Sequence, residues 1–133
     1  MNVLLDTHIL LWCLYAPENL SEKARNIIND PDNWICFSHL SLWECAIKHK
    51  KHPDIFEFDA SDVNSDCREA GFSPVTLQPR HIFTLNTLNA PKGIKHNDPF
   101  DRMLISQAKA DTMIFLTHDH RLSAYGVNNV IYV

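Results

Sequence analysis

Short apolar runs alternate with stretches of helical period along the whole chain, and this alternation predicts the fold. Residues 3–5, 34–37, 74–77, 113–117 and 130–133 are apolar runs of strand length, the last an edge strand by position. After the first run, Ile9, Leu10, Cys13 and Leu14 recur at helical spacing. After the second come Leu40, Trp43 and Ile47, and before the fourth come Phe100, Met103, Leu104 and Ala108. Further helices are predicted over residues 21–29, stopped by Asp30-Pro31, over 61–70, stopped by Gly71, and over 80–88. Such an order implies an α/β domain with a mainly parallel central sheet and helices on both faces. A chain of 133 residues suits one domain, residues 1–133.

In a parallel sheet, ligands bind outside the carboxyl ends of the strands. Asp6 and Asp119 each follow a predicted strand, while Glu44 and Asp101 stand near the starts of helices that reach the same rim. Each acid also has a plainer reading. Asp6 caps the helix at Thr7, and Asp98, followed by Pro99, caps the helix carrying Asp101, which itself complements the helix dipole. Glu44 forms a capping box with Ser41 or an ion pair with Lys48, and Asp119 starts a turn. Glu44, however, falls on the apolar side of its helix, where an ionised carboxylate needs a cation or several donors. Four acids on one rim, with no Lys or Arg interleaved, repel one another unless a positive charge bridges them.

A hard divalent cation, Mg²⁺ or Mn²⁺, is the natural bridge for carboxylate oxygens, and such a site suits phosphodiester hydrolysis. Zinc fits less well. His118 and His120 flank Asp119, but adjacent strand-end side chains diverge and a third ligand at the usual spacing is missing. An aspartyl-phosphate phosphatase would need an acid where His8 stands.

Composition narrows the picture further. Hydrophobic residues make up 45% and charged residues 21%, which is ordinary for a globular domain and excludes low-complexity tracts. The four cysteines lack a C-x-x-C pair, so reduced thiols in a cytoplasmic setting are expected rather than zinc or disulfides. No stretch reads as a secretory leader or a membrane span. A net charge of −4 gives no global pull toward nucleic acid, so RNA binding would depend on local basic residues. Near the rim these are Lys48, Lys50 and Lys51, then Lys92 and Lys95 in the loop before Asp98, with Arg102 and Arg121; solvated surface charge is their other reading. Trp12 and Trp43 are expected in the core.

Leu4-Leu5-Asp6-Thr7-His8-Ile9-Leu10-Leu11-Trp12, the Ser38 to Lys48 segment with Ser41-Leu42-Trp43-Glu44, the Asp98-Pro99-Phe100-Asp101-Arg102-Met103-Leu104-Ile105 segment and Thr117-x-Asp119 together resemble the PIN-domain family. The likeness runs over essentially the whole chain in order, and is nearest to VapC-type toxins of bacterial toxin–antitoxin pairs. It implies a PIN-like three-layer fold and a metal-dependent endoribonuclease. By position it implies that Asp6, Glu44 and Asp101 are the principal metal-binding acids, Asp119 a fourth and Asp98 an extra one, with Asp6, Glu44, Asp101 and Asp119 catalytic. Among the basic residues, Lys48, Lys92, Lys95, Arg102 and Arg121 are the candidates for RNA contact. A cognate antitoxin and a homodimer are implied as partners. Asn97 departs from the resemblance, which implies a basic residue there. A catalytically silent PIN-fold module that binds RNA or protein is the competing reading, against which all the acids being present argues.

Overall fold

The computed structural model describes residues 1–89 and 98–133. Five strands, β1 (Asn2–Leu5), β2 (Trp34–Ser38), β3 (Ser73–Val75), β4 (Ile114–Thr117) and β5 (Val130–Tyr132), form one sheet in the order β3-β2-β1-β4-β5. Every pairing is parallel, which sharpens the expected mainly parallel sheet. β5 is an edge strand as expected. The other edge, β3, carries Pro74, a residue with no amide to donate and therefore suited to an edge position.

Side chains alternate across the pleat and so divide the core in two. Val3, Leu5, Ile35, Phe37 and Leu116 face one way. They pack with Ile9 and Leu10 of α1 (Thr7–Tyr15), Ala24 of α2 (Glu22–Asn29) and Val63 and Cys67 of α4 (Ala60–Glu69). Leu4, Cys36 and Phe115 face the other way, against Leu104, Ile105 and Ala108 of α6 (Pro99–Ala110). The helix α5 (Pro79–Leu85) packs on α6. The three layers match the expected fold class.

α3 (His39–Lys51) serves both cores, with Leu40 in the second and Cys45 in the first. Its buried stripe is therefore Leu40, Ser41, Glu44 and Cys45, not the Leu40, Trp43 and Ile47 line that hydrophobicity predicts. Trp43 is 61% exposed, a correction to its expected place in the core, whereas Trp12 is partly buried in the first core. Buried polar clamps fix α3 at its start. Ser38 accepts from the Leu40 amide at 3.0 Å while donating to Gln107 Oε1 of α6 at 2.6 Å, and the Ser41 and Thr7 hydroxyls pair at 2.9 Å. Each such bond contributes roughly 1 kcal/mol, and its geometry fixes α3 against α6 and α1.

β1 lies between β2 and β4, and the chain leaves it in one direction for β2 and β3 before returning to the other side for β4. The crevice where the winding reverses lies beyond the carboxyl ends of β1 and β4, where an α/β sheet places its ligand. Among the described residues no helix is long and apolar enough to cross a membrane.

Candidate active site

Asp6 is the residue after β1. Its Oδ1 accepts from the Thr7 amide at 2.7 Å, making it the N-cap of α1, and its Oδ2 accepts from the Thr117 hydroxyl at 2.6 Å. The same hydroxyl oxygen accepts from the Asp119 amide at 3.0 Å, so Thr117 ties the ends of β1 and β4 together. The capping role predicted for Asp6 is real, but it uses one oxygen of a carboxylate that is only 3% exposed.

Asp98 caps α6, its Oδ1 accepting from the amides of Phe100 at 2.8 Å and Asp101 at 3.3 Å, with Pro99 next in the helix as expected. The helix start thus depends on Asp98, and Asp101 stands in the first turn. Asp101 borders a cavity of about 150 Å³ that Asp6, Glu44, Asp98 and Asp119 also line. Two helices and two strand ends deliver these acids to one place.

The electrostatics bear this out. Burial pushes the Asp101 carboxyl up to about 8, and the charges of Asp6, Asp98, Glu44 and Asp119 add to the rise. Asp6 is also raised, chiefly by burial, against the lowering effect of its bonds from Thr117 and Thr7.

Two cations stand among the acids, contrary to the expectation that none interleaves. Lys48 donates to Glu44 Oε2 at 2.6 Å, so the predicted i,i+4 pair exists, but it lies in the pocket. Arg121 grips Asp119 with two bonds, Nε to Oδ1 at 3.0 Å and Nη2 to Oδ2 at 2.8 Å. Ser41 is engaged with Thr7, and the N-cap of α3 is Ser38, so the capping box proposed for Glu44 does not form.

Glu44 is 5% exposed, and its Oε1 is buried with no hydrogen-bond partner among the described residues. An orphaned carboxylate oxygen in such a place is costly and suits a hard cation, as does a donor set made of carboxylates. The residues fit a divalent ion in donor type. Their spacing is looser than a finished cage: among the described residues no three Asp, Glu, His or Cys side chains are grouped closely enough to hold an ion as they stand.

His8 and His118 also line the pocket, and the sequence reading gave neither a role there. Their rings stand 5.5 Å apart, and that of His118 is 4.6 Å from Trp12. Each lies within two positions of an acid at a strand end, and that adjacency was the available signal. His120 turns away to stack on Tyr132, so the expected divergence around Asp119 is observed. Among the basic candidates, Lys48 and Arg121 reach the cavity. Arg102 does not line it, its charge acting instead on Tyr125. Lys92, Lys95 and Asn97 lie outside the described residues.

The sequence profile of the PIN domain matches residues 3–128. The chain belongs to the PIN-domain family. Solved structures agree on the fold. VapBC2 from Rickettsia felis, bound to a DNA fragment from its promoter, aligns with a TM-score of 0.70 at 17% identity over 100% of this chain and 98% of that one. DNA-bound VapBC from Salmonella typhimurium aligns at 0.64, with 17% identity, over 100% and 97%. A domain of a functionally unknown protein from Methanocaldococcus jannaschii aligns at 0.57, again with 17% identity, over 99% and 90%. No curated protein matches the chain significantly. At these identities the structural likeness concerns the PIN fold alone.

Proposed function

We propose that this PIN domain is a Mg²⁺- or Mn²⁺-dependent endoribonuclease, the toxin of a type II toxin–antitoxin pair. The observation that carries the reading is the Glu44 carboxylate, buried with one unpartnered oxygen in a pocket shared with Asp6, Asp98, Asp101 and Asp119. The likeness of the fold to VapBC proteins supports the antitoxin partner.

In this account Asp6, Glu44 and Asp101 would hold the ion, with Asp119 and Asp98 as further carboxylates of the same pocket. A bound divalent ion supplies Lewis acidity to the phosphoryl group and makes water a nucleophile near neutral pH. Thr117 fixes Asp6 and Asp119 relative to one another, and the Ser38–Gln107 bond fixes α3, with Glu44, against α6, with Asp101. Water attacks phosphorus, a P–O bond of the RNA backbone breaks, and the departing oxygen takes up a proton. Lys48 and Arg121, with Lys92 and Lys95, which lie outside the described residues, are the candidates to meet the backbone phosphates, and a single-stranded or looped RNA suits such contacts. Arg102, away from the pocket, has at most a peripheral contact. A homodimer in the cytoplasm, restrained by its antitoxin, completes the reading.

The cation grips on Glu44 and Asp119 favour one other reading, a PIN-fold module that binds RNA or protein without cutting it. An RNA cleavage assay separates the two. The purified chain, freed of any antitoxin, is expected to cut RNA with Mg²⁺ or Mn²⁺ and to stop when EDTA is added. Cutting that persists undiminished in chelator would exclude the metal-dependent mechanism, and RNA binding without cutting in either ion would favour the silent module.

A further inference from the structure

Lys48 belongs to two cavities at once. Besides the acidic pocket it lines an adjoining groove of about 440 Å³ that also contains Lys51, His52, Phe56 and Phe100, with Glu44 and Asp98 on the shared wall. Its side chain is 32% exposed, and its ammonium lies 5.5 Å from the centre of the Phe56 ring. A flexible four-carbon stem and a point charge can exchange one resting place for the other, and a ring face is an acceptable second seat for an ammonium.

The partner it would leave is asymmetrically satisfied. Glu44 Oε2 has the ammonium at 2.6 Å, while the buried Oε1 has no partner among the described residues. A carboxylate shut away from water needs positive charge on it, and Lys48 supplies that charge from one side only. Arg121 is differently placed: its side chain is 67% exposed, so water shares in screening it, and its partner Asp119 is clamped within a single turn of chain.

We propose that Lys48 is the resident counter-cation of the pocket, and that a divalent ion must take Glu44 from it in order to bind. The inference rests on the metal-dependent reading above and assigns Lys48 a task before any RNA arrives. It makes the site's metal affinity a compromise: the ammonium keeps Glu44 tolerable in the ion-free protein and opposes the ion that replaces it. Removing the charge should therefore tighten metal binding while weakening the ion-free fold, two effects of opposite sense from one substitution.

The test uses the full chain and Mn²⁺ itself, without RNA. Mn²⁺ binding is measured by calorimetry for the wild type, Lys48→Met, Lys48→Gln, Lys48→Arg and the remote control Arg80→Met. Melting curves are recorded for each in EDTA and in saturating Mn²⁺. Lys48→Met keeps the alkyl stem, and Lys48→Gln serves as a second neutral variant should the first fail to fold. The neutral variants are expected to bind Mn²⁺ about tenfold more tightly, the scale of a screened unit-charge repulsion at short range, and to melt lower than wild type in EDTA but not in Mn²⁺. Lys48→Arg should stay within about twofold of wild type, since it keeps the charge. Equal or weaker Mn²⁺ binding by the neutral variants, or a melting deficit of the same size in both buffers, would overturn the proposal and leave Lys48 as an ordinary structural ion pair. If the wild type binds no Mn²⁺, the metal-dependent reading fails together with it.

Discussion

The two ends of α6 carry aspartates that the fold treats in opposite ways. At the start, Asp101 enters a pocket shared with four other acids, and its carboxyl is pushed up to about 8. Just past the other end, Asp111 receives Arg80 Nε at 2.7 Å and the ring of the fully buried His81 at 2.8 Å, and its carboxyl is held below the usual carboxylate range. His81 accepts the Gln78 amide on Nδ1, so the proton on its ring is at Nε2 and points at Asp111. Every strong donor there has an acceptor. In the pocket, by contrast, a buried oxygen of Glu44 has no donor among the described residues. The two chemistries are the same; what differs is whether the surroundings complete the charge. The completed Asp111 carboxylate serves the fold, whereas Glu44, on the proposed reading, keeps an oxygen for an ion that arrives from outside.

The largest effect that would break this contrast is on activity. Asp6→Asn and Glu44→Gln should each lower RNA cleavage by at least about a hundredfold, the scale of losing an electrostatic contact to the transition state, while Asp111→Asn leaves the rate per folded molecule within about twofold. Comparable losses from both ends of α6 in a cleavage assay would erase the distinction.

Stability should show the reverse order. Asp111→Ala strands the buried Nε2–H of His81, a loss of about 1–3 kcal/mol, or a fall in melting temperature of roughly 4–15 °C, unchanged by Mg²⁺. Thermal melts in EDTA and in Mg²⁺ measure both the size and the indifference to metal.

The pH dependence also separates the two ends. Folding raises the Asp101 carboxyl from its ordinary 3.8 to about 8, so the native state holds the extra proton between those limits. Stability of the metal-free protein from this group is therefore undiminished at low pH and declines as pH rises from about 4 to about 8. Asp111, shifted the other way, contributes stability above the ordinary value of 3.8 and loses it as pH falls through its lowered one. Between pH 5 and pH 8.5 in EDTA the wild type should lose several degrees of melting temperature relative to Asp101→Asn, and not relative to Asp111→Asn. A flat difference curve for Asp101→Asn would contradict the crowded-acid account. The same proton must leave when metal binds, so Mg²⁺ affinity should weaken as pH falls.

The smallest effect belongs to Arg121. Its pair with Asp119 is open to water, so Arg121→Met should change the melting temperature by no more than about 2 °C, with any loss appearing in RNA affinity at low salt.

Much of this was legible in the residues. Short apolar runs and helical spacing locate the five strands and the helices to within a few positions, because burial on both sheet faces forces those patterns. Asp6 and Asp98 announce themselves as caps, and the carboxyl-end rule gathers the acids at one crevice. The orientation of α3 was not legible. It docks against two cores and a polar pocket at once, so Ser41 and Glu44 lie inward while Trp43, the most apolar-looking choice, is turned out. The residues placed Lys48 and Arg121 near the rim and Lys48 beside Glu44, but not their position among the acids: one reaches in from a helical turn beyond Glu44, the other folds back over a tight turn onto Asp119. His8 and His118 are neighbours only because β1 and β4 lie side by side, a pairing that local pattern cannot specify.

The most direct test of the central claim is a set of four melting curves, wild type and Asp101→Asn, each in EDTA and in Mg²⁺. The amide keeps the shape, the cap of α6 belongs to Asp98, and an amide is neutral without the proton that the Asp101 carboxyl must hold, so at pH 8.5 in EDTA the variant should melt above wild type. For the wild type, Mg²⁺ at about a hundred times its dissociation constant should add roughly 2.7 kcal/mol, a rise of several degrees. In Asp101→Asn most of that rise should vanish, because a neutral amide oxygen is a poor exchange for a carboxylate toward a hard ion. A mutant that melts lower than wild type in EDTA yet keeps the full Mg²⁺-induced rise would make Asp101 a helix-stabilising acid and contradict its assignment to the metal site.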